Sequence, residues 1–468
     1  MIVHKFGGTS VGDATRFARV ADIVARCHKR HEAAQPEETV VVVSAMSGVT
    51  DQLIAGARAA ADGQDAVYCG IKASLLNRHL QVVESVLADS RERPEALRWV
   101  EDRLYDLERL CGSIAVLGEL TARGRDAVAS FGEQLSAYML AAVLRDRGVP
   151  AQRVSATEVI VTDDAFGRAL PLSEPTGRRL KERVRPLLES SIIPVITGYI
   201  GATEQGVTTT LGRGGSDYSA ALVGAGLCAD QVWIWSDVNG ILTADPSIVP
   251  EARTISELSY LEAAELAYFG ADVLHPKTIR PLVDKAIPLR LLNTFNPNDP
   301  GTLIVSRPNP DRERWPAIIS SRGLSMIAVG TRDDAWTPRA SARALELLSD
   351  AGVEVFMFSQ SFSEHSLNLV VDEQNQCHSL TRLQREFSDE KTYSIGCKER
   401  VAIVSTVGVP DWNGGHIVSH VFAALGKCGT RVIAVAQAAT EYSVSICIPE
   451  DQLESTVRFL HRELGLER

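Results

Sequence analysis

The stretch Thr210-Leu-Gly-Arg-Gly-Gly-Ser-Asp-Tyr-Ser-Ala220 places a glycine-rich turn directly before a predicted helix. Its glycines allow the backbone to approach an anion closely, and Ser216 or Asp217 can cap the helix. Backbone N–H groups and the positive end of the helix dipole attract a phosphoryl group, and Arg213 can hold a carboxylate or phosphate through two parallel hydrogen bonds. The stretch therefore predicts an anion site, although a plain turn between a strand and a helix shows the same pattern.

Two other predicted strands end in small, hydroxyl-bearing turns. The first, Ile2–Phe6, leads into Gly7-Gly-Thr-Ser10, and the apolar run at residues 40–43 leads into Ser44-Ala-Met-Ser-Gly-Val-Thr50. Because the carboxyl ends of parallel strands meet at one edge of an open α/β sheet, we expect both turns to join the glycine-rich turn in one site. Lys5 precedes its glycines, so the spacing differs from that of a P-loop, and we interpret Lys5 as phosphate-binding rather than solvated.

The rest of the first 292 residues alternates predicted strands and helices, which is typical of a mostly parallel sheet covered by helices. Residues 52–125 are predicted to be a helical insertion with no chemistry of its own, and Glu133 begins the next helix. The run 231–235 is predicted as a buried strand, and it ends in the turn Ser236-Asp-Val-Asn-Gly240. Further strands are predicted at 159–162 and 192–199, and further helices at 135–144 and 261–270.

The last third of the chain contains an internal repeat. Residues 352–367 align without gaps on residues 429–444, so that Gln360 corresponds to Gln437. Each copy predicts a strand, a helix and two strands joined by a Ser-x-Glu turn, with room for a closing helix. A segment rich in proline, asparagine and arginine, residues 293–314, is predicted to link the repeat to the preceding α/β domain.

The composition argues against several classes of protein. The 468 residues carry a net charge of −11 without a basic run interleaved with aromatic residues, so we expect neither nucleic acid nor a membrane as a partner. The eight cysteines are scattered singly and the sequence opens without a signal-peptide pattern, so we expect a cytoplasmic protein. His416 and His420 lie four residues apart without a third ligand, so we expect no metal site built from protein ligands.

Six blocks resemble those of the aspartate kinases, in the same order. They are KFGGTSV (5–11), SAMSGVTD (44–51), FGE (131–133), LGRGGSDYSA (211–220), WSDVNGILTADP (235–246) and ELAYFGADVLHP (265–276). The repeated tail resembles a pair of ACT modules, the amino-acid-sensing domains of such kinases, and is most similar to threonine-sensitive members. The kinase half is also similar to that of the bifunctional aspartate kinase–homoserine dehydrogenases, but no GxGxxG is present and we expect no dehydrogenase half.

The resemblance implies an α/β fold with an open, mostly parallel, three-layer α/β/α catalytic domain at residues 1–292. After the 293–314 linker, two βαββαβ ACT modules are expected at 315–395 and 396–468. The implied reaction transfers the γ-phosphoryl group of ATP to the side-chain carboxylate of L-aspartate, giving 4-phospho-L-aspartate, the first step of aspartate-family amino-acid biosynthesis. A carboxylate is already ionised at neutral pH, so no general base is needed, and cations, backbone N–H groups and Mg²⁺ would steady the transferring group.

The resemblance also assigns roles to residues. Lys5 would meet the γ-phosphate and Asp217 would orient Lys5, so these two are the expected catalytic residues. Arg213 would clamp the substrate's α-carboxylate, and Glu133 would pair with its α-ammonium. The substrate-binding set is Ser44, Thr50, Glu133, Arg213, Gly214 and Ser216. The ATP-binding set is Lys5, Gly7, Gly8, Thr9, Ser236, Asp237, Gly240, Leu242, Asp245 and Lys277, with Gly7 and Gly8 as backbone donors.

Three positions depart from the family pattern on the nucleotide side. Leu242 stands where an aromatic residue is usual, Ser247 where an arginine is usual, and Asp272 where a phosphate-binding lysine is usual. Two positive charges are therefore missing and one negative charge is added. Lys277 could replace the missing lysine, or ATP could bind weakly, and the sequence leaves both alternatives open.

The ACT resemblance implies feedback regulation by an amino acid. Gln360 and Gln437 lie at matching strand ends, where an amide can hydrogen-bond an effector; the alternative is that both are exposed strand-end residues and the tail only dimerises. Phe356 stands where lysine-sensitive relatives carry an aspartate, so threonine is expected to inhibit more strongly than lysine, although Glu354 keeps the question open. ACT modules commonly pair between chains, so a homodimer or higher homo-oligomer is expected.

Two other functions remain as alternatives. Another kinase of the same superfamily, acting on acetylglutamate, glutamate or a nucleoside monophosphate, would share the phosphate site but not the Glu133 block with the paired modules. A non-catalytic amino-acid sensor would tolerate the altered nucleotide side.

Overall fold

The computed structural model describes residues 1–30, 38–268, 274–309, 314–331, 338–361, 365–389, 392–408, 411–412 and 415–467. The chain divides into two units. The first comprises Met1–Ile241, Ser256–Tyr260 and Val273–Pro308, and the second comprises Leu242–Ile255, Leu261–Asp272 and Asn309–Arg468.

Eleven described strands belong to the first unit. They are β1 (Ile2–Phe6), β2 (Thr39–Val43), β3 (Ala151–Val154), β4 (Val161–Thr162), β5 (Ile193–Thr197), β6 (Ile200–Thr203), β7 (Thr208–Thr210), β8 (Gln231–Ser236), β9 (Glu257–Ser259), β10 (Leu289–Asn293) and β11 (Thr302–Val305). Eight of them form one sheet in the order β3-β5-β2-β1-β8-β10-β11-β9. Every neighbouring pair is parallel except β10 and β11. The expected open, mostly parallel sheet is therefore confirmed.

Helices cover both faces of this sheet. The helices up to residue 283 are α1 (Ala14–Arg30), α2 (Val49–Ala61), α3 (Asp65–Val86), α4 (Arg93–Leu117), α5 (Ala122–Ala129), α6 (Phe131–Asp146), α7 (Ala156–Val159), α8 (Ser173–Arg183), α9 (Arg185–Glu189), α10 (Gly215–Leu227), α11 (Tyr260–Tyr268) and α12 (Pro276–Val283). All of α11 after Tyr260 belongs to the second unit. On one face, Trp235 of β8 lies in a buried cluster with Phe17 of α1 and Leu140 of α6. On the other, a Cβ at Gly224 of α10 would lie 2.5 Å from Cγ2 of Val232. Adjacent strand positions point to opposite faces, so the three-layer α/β/α architecture is confirmed.

The helical insertion follows the sequence pattern. Helices α2, α3 and α4 occupy it, and α4 begins at Arg93 with a proline in its first turn. Helices α5 and α6 together form an apolar stretch, Ala122–Asp146, that is long enough to cross a bilayer, but 83% of its most apolar window is buried inside the structure. This burial is usual for a core helix.

A second, three-stranded sheet, β4-β6-β7, also belongs to the first unit. The strand predicted at 159–162 is only partly right, because Ala156–Val159 forms α7 and only Val161–Thr162 forms β4. A capping box between Ser155 and Glu158 starts this short helix, and it ends before the apolar run becomes extended.

The second unit contains the repeat. Its strands are β12 (Ala317–Thr331), β13 (Val355–Ser361), β14 (Ser366–Asp372), β15 (Tyr393–Val407), β16 (Asp411–Trp412), β17 (Gly415–His416), β18 (Ala434–Gln437) and β19 (Ser443–Pro449). Its later helices are α13 (Pro338–Asp350), α14 (Gln376–Glu386), α15 (Ile417–Cys428) and α16 (Leu453–Glu463). Six strands form an antiparallel sheet in the order β13-β14-β12-β15-β19-β18. The repeated helix-and-hairpin pattern is therefore present in both copies.

The boundaries differ from the sequence-based ones in two places. The predicted linker contains β11, which pairs antiparallel with β10 in the large sheet. Every second residue of β11 is buried, as expected for a strand in a sheet. The long strands β12 and β15 serve both repeats: Ala317–Ser321 pairs with the second half of β15, whereas 324–331 pairs with its first half and with β14. The predicted boundary between residues 395 and 396 therefore falls inside β15.

Candidate active site

Backbone hydrogen bonds join the carboxyl ends of neighbouring strands in the large sheet. The Ser44 N–H donates to the Phe6 carbonyl oxygen over 3.1 Å, and the Gly7 N–H donates to the Trp235 carbonyl oxygen over 3.3 Å. The turns after β1, β2 and β8 therefore lie side by side, as expected at the ligand edge of a parallel sheet. Because the Gly7 N–H already has this partner, the structure does not support its expected role as a phosphate donor.

A cavity of about 520 Å³ opens at this edge. It brings together both expected catalytic residues and the complete expected substrate-binding set. These lining residues are Lys5, Ser44, Thr50, Glu133, Arg213, Gly214, Ser216 and Asp217, and Gly8 of the ATP-binding set also lines the cavity. Residues that were separated by more than 200 positions in the sequence thus share one wall.

The glycine-rich turn connects β7 to α10. Gly212 and Gly214 have φ values of 74° and 69°, which favour glycine. A Cβ at Gly214 would lie only 2.6 Å from Cβ of His275, so the close approach of the residue before α12 also requires glycine. The expected cap is wrong in one detail: Gly214 is the N-cap of α10, and neither Ser216 nor Asp217 caps it. Asp217 instead adds negative charge to the first helical turn.

Lys5 is a buried cation at the end of β1. It is 8% exposed and forms an ion pair with Asp217 of α10. Its Nζ lies 3.4 Å from the position that a Cβ at Gly7 would take. The ion pair fixes the ammonium group beside the first glycine turn, on the wall of the cavity.

Glu133 is a buried acid in the first turn of α6. It is 3% exposed, and its Oε2 has no hydrogen-bond partner among the described residues. Burial raises the pKa of this carboxyl to about 8, although backbone hydrogen bonds at Ala45 and Glu133 and the nearby charge of Lys5 act in the opposite direction. A buried carboxyl group with an unused acceptor on a cavity wall suits a cationic group of a ligand.

Arg125 and Tyr199 are among the lining residues that the sequence did not predict. Arg125 is the last residue of the predicted insertion, so this segment contributes a side chain to the cavity wall. Tyr199 follows Gly198 at the end of β5 and has a φ of 65°, an uncommon value for a residue other than glycine. Burial raises the pKa of Tyr199, and a hydrogen bond to the Thr210 side chain and the nearby charge of Arg125 lower it in part. The glycine at the end of a predicted strand was the available signal for Tyr199, whereas no pattern near Arg125 marks it as a site residue.

Several residues of the expected ATP-binding set lie near this edge without lining the cavity. The Ser236 carbonyl oxygen accepts from the Thr294 N–H over 2.9 Å, and Asp237 follows as an exposed carboxylate. A Cβ at Gly240 would lie 2.5 Å from Oγ1 of Thr302, and Gly240 has a φ of 110°, so this turn requires glycine. Thr9 belongs to a short 3-10 helix after β1.

Lys277 lies in the first turn of α12. Its N–H donates to Nδ1 of His275 over 3.1 Å, which caps the helix, and its side chain is exposed. Because His275 also abuts Gly214, this helix begins next to the glycine-rich turn. Asp272 lies outside the described residues.

Leu242, Asp245 and Ser247 belong to the second unit. Leu242 forms an isolated bridge with Thr254. Ser247 donates its N–H and its hydroxyl to Oδ1 of Asp245 over 2.8 and 2.7 Å, so in this structure both side chains serve a local turn.

The two glutamines of the expected effector site occupy matching places. Gln360 of β13 faces Leu367 in register, and Gln437 of β18 faces Val444, the residue that corresponds to Leu367 in the repeat. Both glutamines are exposed. Phe356 packs against a buried cluster in this sheet.

Sequence comparison assigns both parts of the chain. The sequence model of the amino acid kinase family matches residues 1–293, and that of the ACT domain matches residues 335–387 and 404–464. Aspartokinase 1, chloroplastic, from Arabidopsis thaliana is 32% identical over 472 residues, which cover 98% of this chain and 79% of the relative. A bifunctional aspartokinase/homoserine dehydrogenase 2, chloroplastic, from the same plant is also 32% identical, and this chain spans about half of it, 51%.

Solved structures agree with this assignment. A crystal structure of E. coli aspartokinase III in complex with aspartate and ADP is 29% identical, with a TM-score of 0.80 over 99% of this chain and 100% of that one. A structure of the same enzyme with lysine and aspartate gives a TM-score of 0.81 over 99% of both chains. With its strand-edge cavity, its repeated sheet and these relatives, the chain belongs to the amino acid kinase family and, within it, to the aspartokinases.

Proposed function

We propose that the protein is an aspartate kinase that transfers the γ-phosphoryl group of ATP to the side-chain carboxylate of L-aspartate. The observation that carries this proposal is the convergence of Glu133, Arg213 and the Lys5–Asp217 ion pair on one cavity. An amino-acid substrate needs one anionic and one cationic contact, and a phosphoryl acceptor site needs a further cation. This cavity supplies all three.

Recognition of L-aspartate follows from the chemistry of the walls. Glu133 would hold the α-ammonium, because its Oε2 lacks a partner among the described residues. Arg213 would hold the α-carboxylate through a bidentate contact. Ser44, Thr50 and Ser216 line the same cavity and would donate hydroxyl or backbone hydrogen bonds to the side-chain carboxylate. This arrangement would leave that carboxylate facing Lys5.

Lys5 would stabilise the negative charge that the transferring phosphoryl group spreads over its oxygens. Asp217 would hold the ammonium group in place through their ion pair. The acceptor carboxylate is ionised at neutral pH, so no side chain needs to remove a proton from it.

ATP would approach from the side of Ser236, Asp237 and Gly240. Lys277 would replace the phosphate-binding lysine that the family pattern has at the position of Asp272. Support for Lys277 comes from its exposed place on the helix that begins beside Gly214. Mg²⁺ usually reaches such sites bound to the phosphates, and a single carboxylate often completes its protein contacts. Asp237 fits that requirement, since it is exposed at the carboxyl end of β8. Bound Mg²⁺ would supply further positive charge at the phosphates.

We further propose that an amino acid of the aspartate family inhibits the enzyme through Gln360 and Gln437, L-threonine more strongly than L-lysine. Phe356 packs in an apolar cluster and offers no charge to an ammonium side chain. Glu354 is exposed and lies near Tyr268. Burial raises the pKa of Tyr268, and the charge of Glu354 raises it further. We also propose a cytoplasmic homodimer or higher homo-oligomer.

An ADP-release assay tests the activity. L-aspartate should support ADP formation in the presence of Mg²⁺, whereas L-glutamate, N-acetyl-L-glutamate and a nucleoside monophosphate should not. Lys5→Ala should abolish the signal, and Lys427→Ala, which alters an exposed lysine of the second unit, should not. Absence of ADP with L-aspartate would favour a non-catalytic sensor, and ADP with another acceptor would favour a different kinase of the family.

Titration of inhibitors tests the regulation. L-threonine should inhibit the wild type at lower concentration than L-lysine, and the Gln360→Ala, Gln437→Ala double variant should lose that inhibition. Gln374→Ala, at an exposed glutamine of the first repeat, is the matched control. Stronger inhibition by lysine, or unchanged threonine inhibition in the double variant, would contradict the proposal.

A further inference from the structure

Asp126 of α5 is a buried carboxylate that binds two separate backbone segments. It is 1% exposed. Its Oδ2 accepts hydrogen bonds from the N–H groups of Gly167 and Thr210 over 2.8 and 2.9 Å, and its Oδ1 accepts from the Thr210 hydroxyl over 2.8 Å. All three donors are neutral, so the role of this acid differs from that of Asp217, which pairs with a cation.

The two segments flank the glycine-rich turn. Thr210 is the last residue of β7, and the turn follows it directly. Strand β7 is an edge strand that pairs only with β6, so the outward N–H of Thr210 requires a partner from outside the sheet. On the other segment, the Gly167 carbonyl oxygen lies 3.2 Å from the position of a Cβ at Gly212. Asp126 therefore joins the start of the turn to the segment on which the turn rests.

Two backbone hydrogen bonds also hold the start of this turn, one of which joins the Leu211 N–H to the Tyr199 carbonyl oxygen over 2.9 Å. Strand β7 has three residues, and Gly212 and Gly214, with positive φ values, provide no side-chain packing. The Thr210 carbonyl oxygen accepts from the Ala169 N–H over 2.9 Å. Asp126 adds three hydrogen bonds from two segments to this anchoring.

We propose that Asp126 is a positioning residue that holds the glycine-rich turn in the geometry in which Arg213 receives the carboxylate of the ligand. Asp126 does not line the cavity, so it acts through Thr210 and Gly167. The inference rests on the proposed function for the identity of the ligand, but the anchoring of the turn stands independently of it.

Paired substitutions separate hydrogen bonding from charge. In Asp126→Asn, the amide oxygen can accept both N–H groups and the amide NH₂ can donate to the Thr210 hydroxyl, so the network persists. Asp126→Ala removes all three bonds. We expect the alanine variant to raise the L-aspartate KM about tenfold or more, with less than about a twofold change in the ATP KM, and the asparagine variant to stay within about threefold of wild type.

Hydrogen–deuterium exchange gives a readout that needs no substrate. Peptides covering residues 208–218 should exchange faster in Asp126→Ala than in wild type, and Asp126→Asn should restore slow exchange. Peptides covering β2 are the internal control and should not change. If wild type lacks L-aspartate-dependent ADP release but the exchange pattern appears as expected, the proposed function fails while the anchoring role stands.

Three results would overturn the proposal: unchanged exchange at 208–218 in the alanine variant, equal effects on both KM values, or an asparagine variant as impaired as the alanine variant. If Asp126→Ala does not fold, Thr210→Val decides. Tyr199→Phe, which removes only the hydrogen bond between Tyr199 and Thr210, is its control. Thr210→Val removes the hydroxyl bonds to both Asp126 and Tyr199 and keeps a branched side chain. We expect it to raise the L-aspartate KM about threefold and to speed exchange of the turn. Wild-type values for both measurements would also refute the proposal.

Discussion

Glu133→Gln should remove a pH dependence of L-aspartate binding that the wild-type protein shows. Burial raises the pKa of the Glu133 carboxyl to about 8, so most molecules without substrate carry a neutral Glu133 at pH 7. Binding the α-ammonium requires the ionised form, and the apparent KM therefore scales with 1 + 10^(pKa − pH). With the pKa at about 8, this factor is about 11 at pH 7 and about 2 at pH 8. The L-aspartate KM should fall about fivefold between these pH values.

The assay is steady-state ADP release at saturating ATP across this pH range, in which the substrate's own α-ammonium keeps its proton. The glutamine variant should show a raised L-aspartate KM with no such fall, because its amide does not ionise. The ATP KM serves as the control in both proteins and should change little. A wild-type L-aspartate KM that is flat or rises between pH 7 and pH 8 would refute the assignment of Glu133 to the α-ammonium.

Unfolding measurements provide an independent check on the same group. The carboxyl titrates at about 8 in the folded protein against 4.5 for the ordinary group, so its contribution to stability is present below pH 4.5 and is lost as the pH rises to 8. The loss amounts to at most about 1.4 kcal/mol per pH unit. The difference in unfolding free energy between Glu133→Gln and wild type should therefore shift in favour of the variant as the pH rises through this window. A difference that does not depend on pH would mean that Glu133 is ionised in the folded protein.

Other substitutions test the remaining parts of the site and the core. Lys5→Ala and Asp217→Ala should each lower kcat by at least about 100-fold with little change in the L-aspartate KM, because both act on charge that develops during transfer; wild-type turnover in either would contradict this. Arg213→Lys should raise the L-aspartate KM about tenfold and the ATP KM little, since lysine cannot make a bidentate contact; equal rises would place Arg213 elsewhere. His79 is buried and its pKa is lowered to about 4, so its contribution to stability is lost as the pH falls from 6.5 through 4, and His79→Leu should lose less stability on acidification, as measured by urea unfolding at each pH.

The sequence was sufficient for the parts of the site that follow local rules. Strands β1, β2 and β8 are short apolar runs followed by small residues, and their parallel pairing places Lys5 and Ser44 at one edge of the sheet. The apolar helix pattern predicts Glu133 as a charge in a first helical turn, and the resemblance of residues 131–133 to an aspartate kinase block assigns it to the site. These features depend on residues that are close in the chain, so they can be recognised without knowledge of the tertiary structure.

Features that depend on distant partners could not be predicted. Arg125 reaches the cavity only because α5 packs beside β7, and nothing in its neighbourhood marks it. The strand at Thr302–Val305 lies in a proline-rich segment and is stabilised by its pairing with β10. Strand β12 is 15 residues long and pairs along its length with β15, so that these two strands belong to both repeats. The repeat in the sequence instead suggests two separate modules.

The placement of residues 242–255 in the second unit limits how this protein can be divided or recombined. Ile248 and Val249 lie in the same buried cluster as Val457 and Leu460 of α16, and the Thr243 hydroxyl is hydrogen-bonded to Nε2 of the buried His461 over 3.0 Å. A truncated chain that stops at residue 308 would expose those apolar side chains to water, at about 25 cal/mol for each Å². Chimeras that exchange the regulatory half between aspartokinases must therefore also exchange this segment and residues 261–272, with a crossover on each side of both, or redesign their contacts with the second unit.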